Sequence, residues 1–395
     1  MRAGFRIGRV FGIDVRVDWS WILIFLLVTW NLAAVFGGYH PDWGGGLRWG
    51  IAILAALLLF VSVLAHELAH SLIAQSHGIP VTSIVLHLFG GVANIQREPE
   101  SPGNEFVMAI VGPLSSLVIG AALIAVALVL TGPAAILSNP MAALRGLNPL
   151  LTLLMWLGSV NVTLGVFNMI PGFPLDGGRV LRSVLWAITG NLRRATRWAS
   201  WCGQAIAWLM ILGGIAMTFG ARIPFFGTGL GSGLWLAFIG WFLNSASIQS
   251  YQHVVVQDIL GAVPVEQLMR TDPPTCSAEC TVARLVHEHI MRSDDQSFPI
   301  LEHGTRRLTG LVTLDDVRRV SRELWDTTRV GEIMTPAAEL IVVAPRDDAA
   351  EAFSKLSGRD VRQLPVVNDG ELVGLLRRRD IVRWLQLNSE REFGM

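Results

Sequence analysis

The chain has 395 residues and no formal net charge; 52% of its residues are hydrophobic and only 16% are charged. Average soluble domains carry about 25% charged residues, so this composition excludes an ordinary soluble globular protein. A net charge of zero gives no basis for nucleic-acid binding, and three cysteines are too few for a disulfide framework.

The uneven distribution of charge predicts an α-helical polytopic membrane domain followed by a soluble domain. Charged residues are rare up to about residue 250 and become frequent from Gln257 onward. We expect no secretory signal peptide, because Arg16 and Asp18 precede the first apolar run and no small-residue cleavage site follows it. Six apolar runs are long enough to cross a bilayer: about 19–37, 50–77, 105–131, 149–170, 200–220 and 232–249.

The arginines predict which side of the membrane holds the termini. Six spans place both termini on the same side, and basic residues favour the cytoplasmic side. The terminal side carries most of the flanking arginines: Arg2, Arg6, Arg9, Arg16, Arg97, Arg179, Arg182, Arg193, Arg194 and Arg197. The opposite side carries only Arg48, Arg145 and Arg222. We therefore expect a multi-pass cell-membrane protein with cytoplasmic N- and C-termini.

The second span contains the sequence His66-Glu67-Leu68-Ala69-His70. Residues four apart lie on one face of a helix, so the two imidazoles can bind one zinc ion while Glu67 stays free as a general base. The pattern also occurs by chance, and a lone histidine on an apolar helix is usually a core residue. Ionisable side chains are costly inside a membrane, so three of them in one span favour the zinc site.

Residues 85–95 are too short to cross the membrane and follow the helix stop Gly78-Ile79-Pro80. Their β-branched content and central Gly-Gly predict a short re-entrant β element, either a hairpin or a single strand. An edge of this element could hold an extended peptide by β-addition. His87 could be a metal ligand, but we interpret it as a structural or substrate-facing residue.

A segment rich in proline and glycine follows the fourth span, from Asn168 to Arg179. Its composition argues against a regular helix. The second and fourth spans run in the same direction, so Asp176 reaches the depth of His66 and His70. One interpretation is an ordinary turn in which Asp176 caps the next helix. The other, which the facing histidines favour, is that Asp176 is the third zinc ligand.

These motifs resemble the site-2 protease family of intramembrane zinc metalloproteases, over about residues 1–250. The matching sequences are HELAH at 66–70, N-x-x-P-x-x-P-L-D-G at 168–177, FGGVA at 89–93 and Gly112-Pro113.

The family resemblance implies a role for each of the motif residues. His66, His70 and Asp176 would hold one zinc ion, and Glu67 would activate a water molecule. Asn168 would steady the substrate carbonyl or the oxyanion.

Residues 264–386 contain an internal repeat. The blocks at 265–269, 298–301 and 310–316 recur in the same order at 330–334, 364–367 and 374–380. Short β-branched runs alternate with amphipathic helices, which predicts an α/β module. The copies, at 264–321 and 329–386 after a linker at 251–263, resemble a tandem pair of CBS motifs.

The CBS resemblance implies an adenosine nucleotide as a ligand. In that family the Thr and Asp of G-x-x-T-x-x-D contact ribose, and Thr313 and Asp316 match this pattern. The second copy has Asp380 but carries Arg377 where the threonine would stand, which puts its site in doubt. The alternative is a module without a ligand that joins two chains as a homodimer.

We therefore predict a zinc endopeptidase that cuts transmembrane helices near the cytoplasmic face and is regulated by its CBS module. Its expected partners are membrane lipid and a single-pass membrane protein, of which an anti-sigma factor is the example that the resemblance suggests. An alternative is a CBS-gated channel or transporter in which His66, Glu67, His70 and Asp176 form an ion path. An inactive scaffold is disfavoured because all four chemical residues are present.

Overall fold

The computed structural model divides the chain into two units, Arg2–Gln252 and His253–Met395. It describes residues 4–87, 90–95, 99–131, 145–224, 227–261, 263–358 and 361–389. The first unit combines long helices with a small sheet, and the second is an α/β unit. Both architectures confirm the fold class that the sequence predicts.

Long apolar helices dominate the first unit. Its helices are α1 (Ser20–Tyr39), α2 (Gly45–Ser76), α3 (Pro102–Thr131), α4 (Pro149–Asn168), α5 (Asp176–Thr189), α6 (Leu192–Thr218) and α7 (Leu230–Leu260). Among the described residues, α1, α2, α3, α4 and α6 are the five helices long and apolar enough to cross a membrane. They correspond to the first five predicted spans. The sixth predicted span lies within α7, which continues through most of the predicted linker.

A four-stranded sheet completes the first unit. Its strands are β1 (Phe5–Val10), β2 (Ile13–Val17), β3 (Val81–His87) and β4 (Gly90–Ile95), in the order β1-β2-β3-β4. Strands β2 and β3 are parallel because α1 and α2 return the chain between them, and the other pairs are antiparallel. The β element predicted at 85–95 is the β3–β4 hairpin, in which His87 pairs with Gly90. Leu88 and Phe89 lie outside the described residues.

The sheet packs against the end of α2 and the beginning of α3. Ile13, Ile84 and Leu86 from the strands form a buried cluster with Ala74 of α2 and Met108 of α3. This packing brings β4 against the H-E-x-x-H motif of α2. A Cβ added at glycine 91 would lie 2.5 Å from Cγ of glutamate 67.

Glycines let α3 and α4 pack with their backbones in near contact. A Cβ at Gly120 would lie 2.8 Å from the carbonyl oxygen of Gly158, and a Cβ at Gly165 would lie 2.9 Å from that of Pro113. Such close approach is how small residues join helices in membranes. Because α4 leads into the proline- and glycine-rich segment, this contact fixes where that segment begins.

The second unit contains two sheets and short helices. One sheet holds β5 (Cys276–Ser277), β6 (Ser297–Leu301), β7 (Leu308–Thr313) and β8 (Thr335–Pro336), and the other holds β9 (Gln363–Asn368) and β10 (Glu371–Arg377). The helices are α8 (Val282–Glu288), α9 (Leu314–Arg318), α10 (Val330–Ile333), α11 (Ala349–Gly358) and α12 (Arg378–Ser389).

The two sequence copies exchange their opening segments. Val265 and Leu268, which begin the first copy, are buried in one cluster with Leu364 of the second copy. Val330, which begins the second copy, is buried with Phe298 of the first. Each hydrophobic core therefore contains residues from both copies.

Candidate metal centre and catalytic cavity

The three predicted zinc ligands lie together between α2 and α5. Nε2 of His66 is 3.0 Å from Oδ2 of Asp176, and Nε2 of His70 is 3.2 Å from the same oxygen. The two Nε2 atoms are 3.2 Å apart. Both histidines are buried, and Asp176 is half-buried. In the part of the chain that the structure describes, this is the group of histidine, cysteine and acidic residues that could hold a metal ion.

Asp176 does not cap the helix that it begins. The N-cap position of α5 belongs to Leu175, and the Asp176 carboxylate contacts the two histidines instead. The glycines after it make this possible, because a Cβ at Gly178 would overlap the backbone of Gly172 and Phe173. The proline- and glycine-rich segment thus folds tightly against the first turn of α5 and brings Asp176 to the histidines.

Helix α3 contacts the Nδ1 atoms of both histidines, on the ring side away from Asp176, although it supplies no ligand to the cluster. Nδ1 of His70 donates to the carbonyl oxygen of Met108 over 2.5 Å, and Nδ1 of His66 lies 2.9 Å from Oγ of Ser116. Gly112 lies between these contacts, and a Cβ there would overlap the ring of His70. The spacing of four residues places Met108, Gly112 and Ser116 on one face of α3.

These contacts leave electron-rich atoms facing one another. A carbonyl oxygen only accepts hydrogen bonds, so neutral His70 carries its proton on Nδ1 and presents an Nε2 lone pair to the Asp176 carboxylate. A cation between the atoms removes the resulting repulsion. Tetrahedral zinc with bonds of about 2.0–2.1 Å would separate its ligand atoms by about 3.3 Å, close to the observed 3.0–3.2 Å. The donor set therefore fits zinc.

Glu67 lies outside this cluster and beside it. It lines a cavity of about 620 Å³ together with His66, His70 and Asp176. A carboxylate in this position can exchange protons with a water or substrate in the cavity without binding the metal. This is the separation of roles that the H-E-x-x-H sequence predicts.

The other two predicted residues near the motif line the same cavity. Asn168, the last residue of α4, donates one amide N–H to the carbonyl oxygen of Leu164 over 3.0 Å and has a second N–H for another partner. His87 contributes from the end of β3, next to β4, but is not part of the metal cluster. Arg179 of α5 also lines this cavity.

Sequence reasoning missed the contributions of α3. The sequence marks Gly112-Pro113 only through a family resemblance, and nothing in it indicates that Met108 acts through its carbonyl oxygen. Ser116 had one usable signal, since it lies four residues from Gly112 on the same helix face. Its partner, fifty residues earlier, could not be identified from spacing within one helix.

In the second unit, Thr313 and Asp316 contact each other at the beginning of α9. Oγ1 of Thr313 donates to Oδ2 of Asp316 over 2.6 Å, and the Thr313 N–H donates to the same oxygen over 2.9 Å. The backbone bond from Thr313, together with the bond that Thr313 Oγ1 accepts from the Asp316 N–H over 3.3 Å, forms a capping box that ends β7 and begins α9. The two predicted nucleotide-binding residues are therefore close together and already have structural partners.

The corresponding residues of the second copy are tied together by charge. Arg377 donates from Nε to Oδ2 of Asp380 over 2.5 Å and from Nη1 to Oδ1 of Asp295, in the first copy, over 2.9 Å. The hydrogen bond to Asp380 raises the pKa of Arg377 further above its ordinary value. Arg377 is permanently charged and bonds both carboxylate oxygens of Asp380. The second copy therefore presents an ion pair where the first copy has the hydrogen bond between Thr313 and Asp316. Arg270, Arg383 and Trp384 line a cavity of about 260 Å³ beside the pair.

Comparison with known proteins identifies both halves of the chain. The sequence profile of peptidase family M50 matches residues 54–212, and the CBS domain profile matches residues 265–323 and 330–387. "Putative zinc metalloprotease Rip3" of Mycobacterium tuberculosis is 32% identical over 98% of this chain and 94% of that protein. "Zinc metalloprotease MJ0392" of Methanocaldococcus jannaschii is 26% identical over 99% of both chains. The solved "Site-2 Protease from Methanocaldococcus jannaschii" is 28% identical, with a TM-score of 0.42 over 63% of this chain and 95% of that one.

The contact between Ser116 and His66 predicts a measurable effect on zinc binding. Ser116→Ala should lower zinc affinity by about tenfold, because partners of ligating histidines typically contribute that much or more. Affinity can be measured by competition with a chromophoric chelator. Ser115→Ala is the matched control, since Ser115 Oγ donates to the backbone of Gly112 and not to a histidine. Equal losses in both variants would contradict a specific role for Ser116.

Proposed function

Because this chain belongs to peptidase family M50, the site-2 protease family, we propose that His66, His70 and Asp176 bind the catalytic zinc ion and that Glu67 transfers protons. The observation that carries this assignment is the convergence of two Nε2 atoms and one carboxylate oxygen within 3.2 Å. The chain is a metallopeptidase of the membrane, with tandem CBS domains. The channel alternative loses its support, since the relatives that match the full chain are named zinc metalloproteases.

Peptide hydrolysis at this site would depend on the bound metal and on two side chains, Glu67 and Asn168. Bound zinc supplies Lewis-acid polarisation of the scissile carbonyl and a lowered pKa for the attacking water. Glu67 accepts the proton of that water and returns it to the leaving amide nitrogen. Asn168 donates its second amide N–H to the carbonyl oxygen as negative charge develops there.

We propose that the substrate binds as an extended peptide along β4. Within the described sheet, β4 is an edge strand, and it contributes glycines 90 and 91 to the cavity that contains Glu67. A peptide added to this edge would run past the general base, with side-chain pockets alternating along it. Gly91 lacks the side chain that would collide with Glu67. A transmembrane helix has to unwind locally before it can bind in this way.

The proposed substrates are single-pass membrane proteins cut near the cytoplasmic face, with an anti-sigma factor as the example that the family resemblance suggests. The arginine distribution supports this location, because it favours cytoplasmic termini. The position of His66 and His70 in the C-terminal half of α2, the half nearer that face, also supports it.

We propose further that the CBS module regulates cleavage in response to an adenosine nucleotide bound near Thr313 and Asp316. A nucleotide shifts activity only as far as it prefers one arrangement of the module over another. The second copy is the poorer site because Arg377 already binds Asp380. Dimerisation without a ligand is the competing proposal for this module.

The general-base role of Glu67 can be separated from zinc binding. Glu67→Gln should retain about one zinc per chain, while cleavage of labelled transmembrane peptides falls by at least about a hundredfold. Metal content is measured on the purified protein, and a zinc chelator should abolish the activity of the unchanged enzyme.

Asp176→Ala is the reference variant for this experiment, since it removes a proposed ligand and should lower zinc affinity strongly. Loss of zinc from the Glu67→Gln variant would identify Glu67 as a ligand and refute its assigned role. Full zinc occupancy in Asp176→Ala would refute the proposed ligand set.

Membrane orientation can be tested by labelling single cysteines in intact cells. In a protein whose Cys202, Cys276 and Cys280 are replaced, Asp42→Cys should react with an impermeant thiol reagent and Thr189→Cys should not. Both positions are exposed, Asp42 between α1 and α2 and Thr189 at the end of α5, so their accessibility to the reagent should be set by the membrane. The reverse pattern would place the CBS module outside the cell.

Nucleotide binding can be measured by calorimetry on the full-length protein in detergent, with ATP, ADP, AMP and S-adenosylmethionine. We expect binding that Asp316→Ala abolishes and that Asp380→Ala leaves within about twofold, because Asp380 is already held by Arg377. Absence of heat with all four compounds would favour the ligand-free module. Binding unaffected by Asp316→Ala would show that the site lies elsewhere.

A further inference from the structure

Glu105, in the first turn of α3, is a fully buried carboxylate that does not belong to the proposed zinc centre. Its Oε1 atom accepts a hydrogen bond of 2.6 Å from Nε of Arg182 on α5, and Nη2 of Arg182 contacts the same oxygen. Nε of Arg179 lies 4.0 Å from it. A buried carboxylate is costly unless it is paired, so this ion pair constrains how α3 and α5 can pack.

Arg182 is held on a second side by the segment that precedes α5. Its guanidinium lies 5.3 Å from the centre of the Phe173 ring, within the range of a cation–π contact. Phe173 is itself buried, and its N–H donates to the carbonyl oxygen of Ala199 on α6 over 3.3 Å. Arg182 therefore links α5 to α3 and to the folded segment that ends at Asp176.

Asp176 and Arg182 belong to the same helix of fourteen residues. Because an α-helix is stiff over this length, fixing Arg182 also fixes the rotation of α5 and the position of its first residue. The partner helix α3 is the one whose Met108 and Ser116 hold His70 and His66. One helix thus anchors the elements that carry all three proposed ligands.

We propose that Glu105 and Arg182 are positioning residues that set the distance from the Asp176 carboxylate to His66 and His70. This inference rests on the proposed zinc centre. Zinc sites require ligand distances within about 0.2 Å of their ideal values, so a small rotation of α5 weakens binding. The ion pair acts only through Asp176, and that dependence gives it an experimental signature.

The test measures zinc affinity by chelator competition on full-length protein in two backgrounds. In the otherwise unchanged protein, Glu105→Gln should lower zinc affinity by about 10- to 100-fold, the range for groups that orient metal ligands. In the Asp176→Ala background, the same change should lower the remaining affinity by less than about twofold, because the ligand that it positions is absent. Ser200→Ala is the matched control: it removes a buried hydrogen bond of 2.8 Å to Ser247 between α6 and α7 and should leave zinc affinity unchanged.

Arg182→Lys provides a second measurement should the Glu105 variant fold poorly. Lysine keeps the buried charge but loses the planar fork of arginine, so folding should persist while zinc affinity falls by about tenfold. Unchanged zinc affinity in both Glu105→Gln and Arg182→Lys would overturn the proposal. Equal losses in the two backgrounds would also overturn it, because they would show a general effect on the fold. Full zinc binding by Asp176→Ala alone would instead refute the zinc centre itself.

Discussion

The structure of the first unit depends on holding two histidines and an aspartate within 3.2 Å of one another among apolar helices. Polar atoms in such surroundings are costly without partners, and the Nε2 lone pair of neutral His70 also faces the Asp176 carboxylate. A zinc ion resolves both problems at once, but only if the ligands are already correctly oriented. Most of the unusual local features of this unit can be understood as meeting that requirement.

One face of α3 meets most of this requirement without contributing a ligand. The carbonyl oxygen of Met108 accepts a hydrogen bond from His70, the hydroxyl group of Ser116 contacts His66, and Gly112 leaves room for the His70 ring. Further along, Gly120 brings the backbone of α4 close. In the first turn of α3, Glu105 forms an ion pair with Arg182 of α5. The catalytic motif on α2 is therefore only half of the site, and the supporting half lies in a segment with little chemical signature.

The parts that could be predicted from the sequence are those with a local period or a distinctive residue type. The spacing of His66 and His70 follows from one helical turn, and the glycine- and proline-rich segment around Asp176 indicates irregular backbone at a definite place. The repeat in the C-terminal half indicates an α/β module. Contacts across the sequence could not be predicted in this way, because no local pattern specifies which distant residue will face which. The pairing of Arg377 with Asp295 and the hydrogen bond between His70 and Met108 are contacts of this kind. The length of α7 also differs from the span predicted at 232–249.

The exchange of opening segments in the CBS module has a consequence for synthesis on the ribosome. Val265 and Leu268 are synthesised well before β9, the strand whose Leu364 packs in the same cluster. These apolar side chains therefore lack Leu364 as a packing partner while the whole first copy and the beginning of the second are being synthesised. Val330, which completes the hydrophobic core around Phe298 of the first copy, is synthesised much sooner after that copy. Nascent chains of this protein consequently carry these incompletely packed apolar residues until β9 has been synthesised, so the two hydrophobic cores of the module are completed at different times.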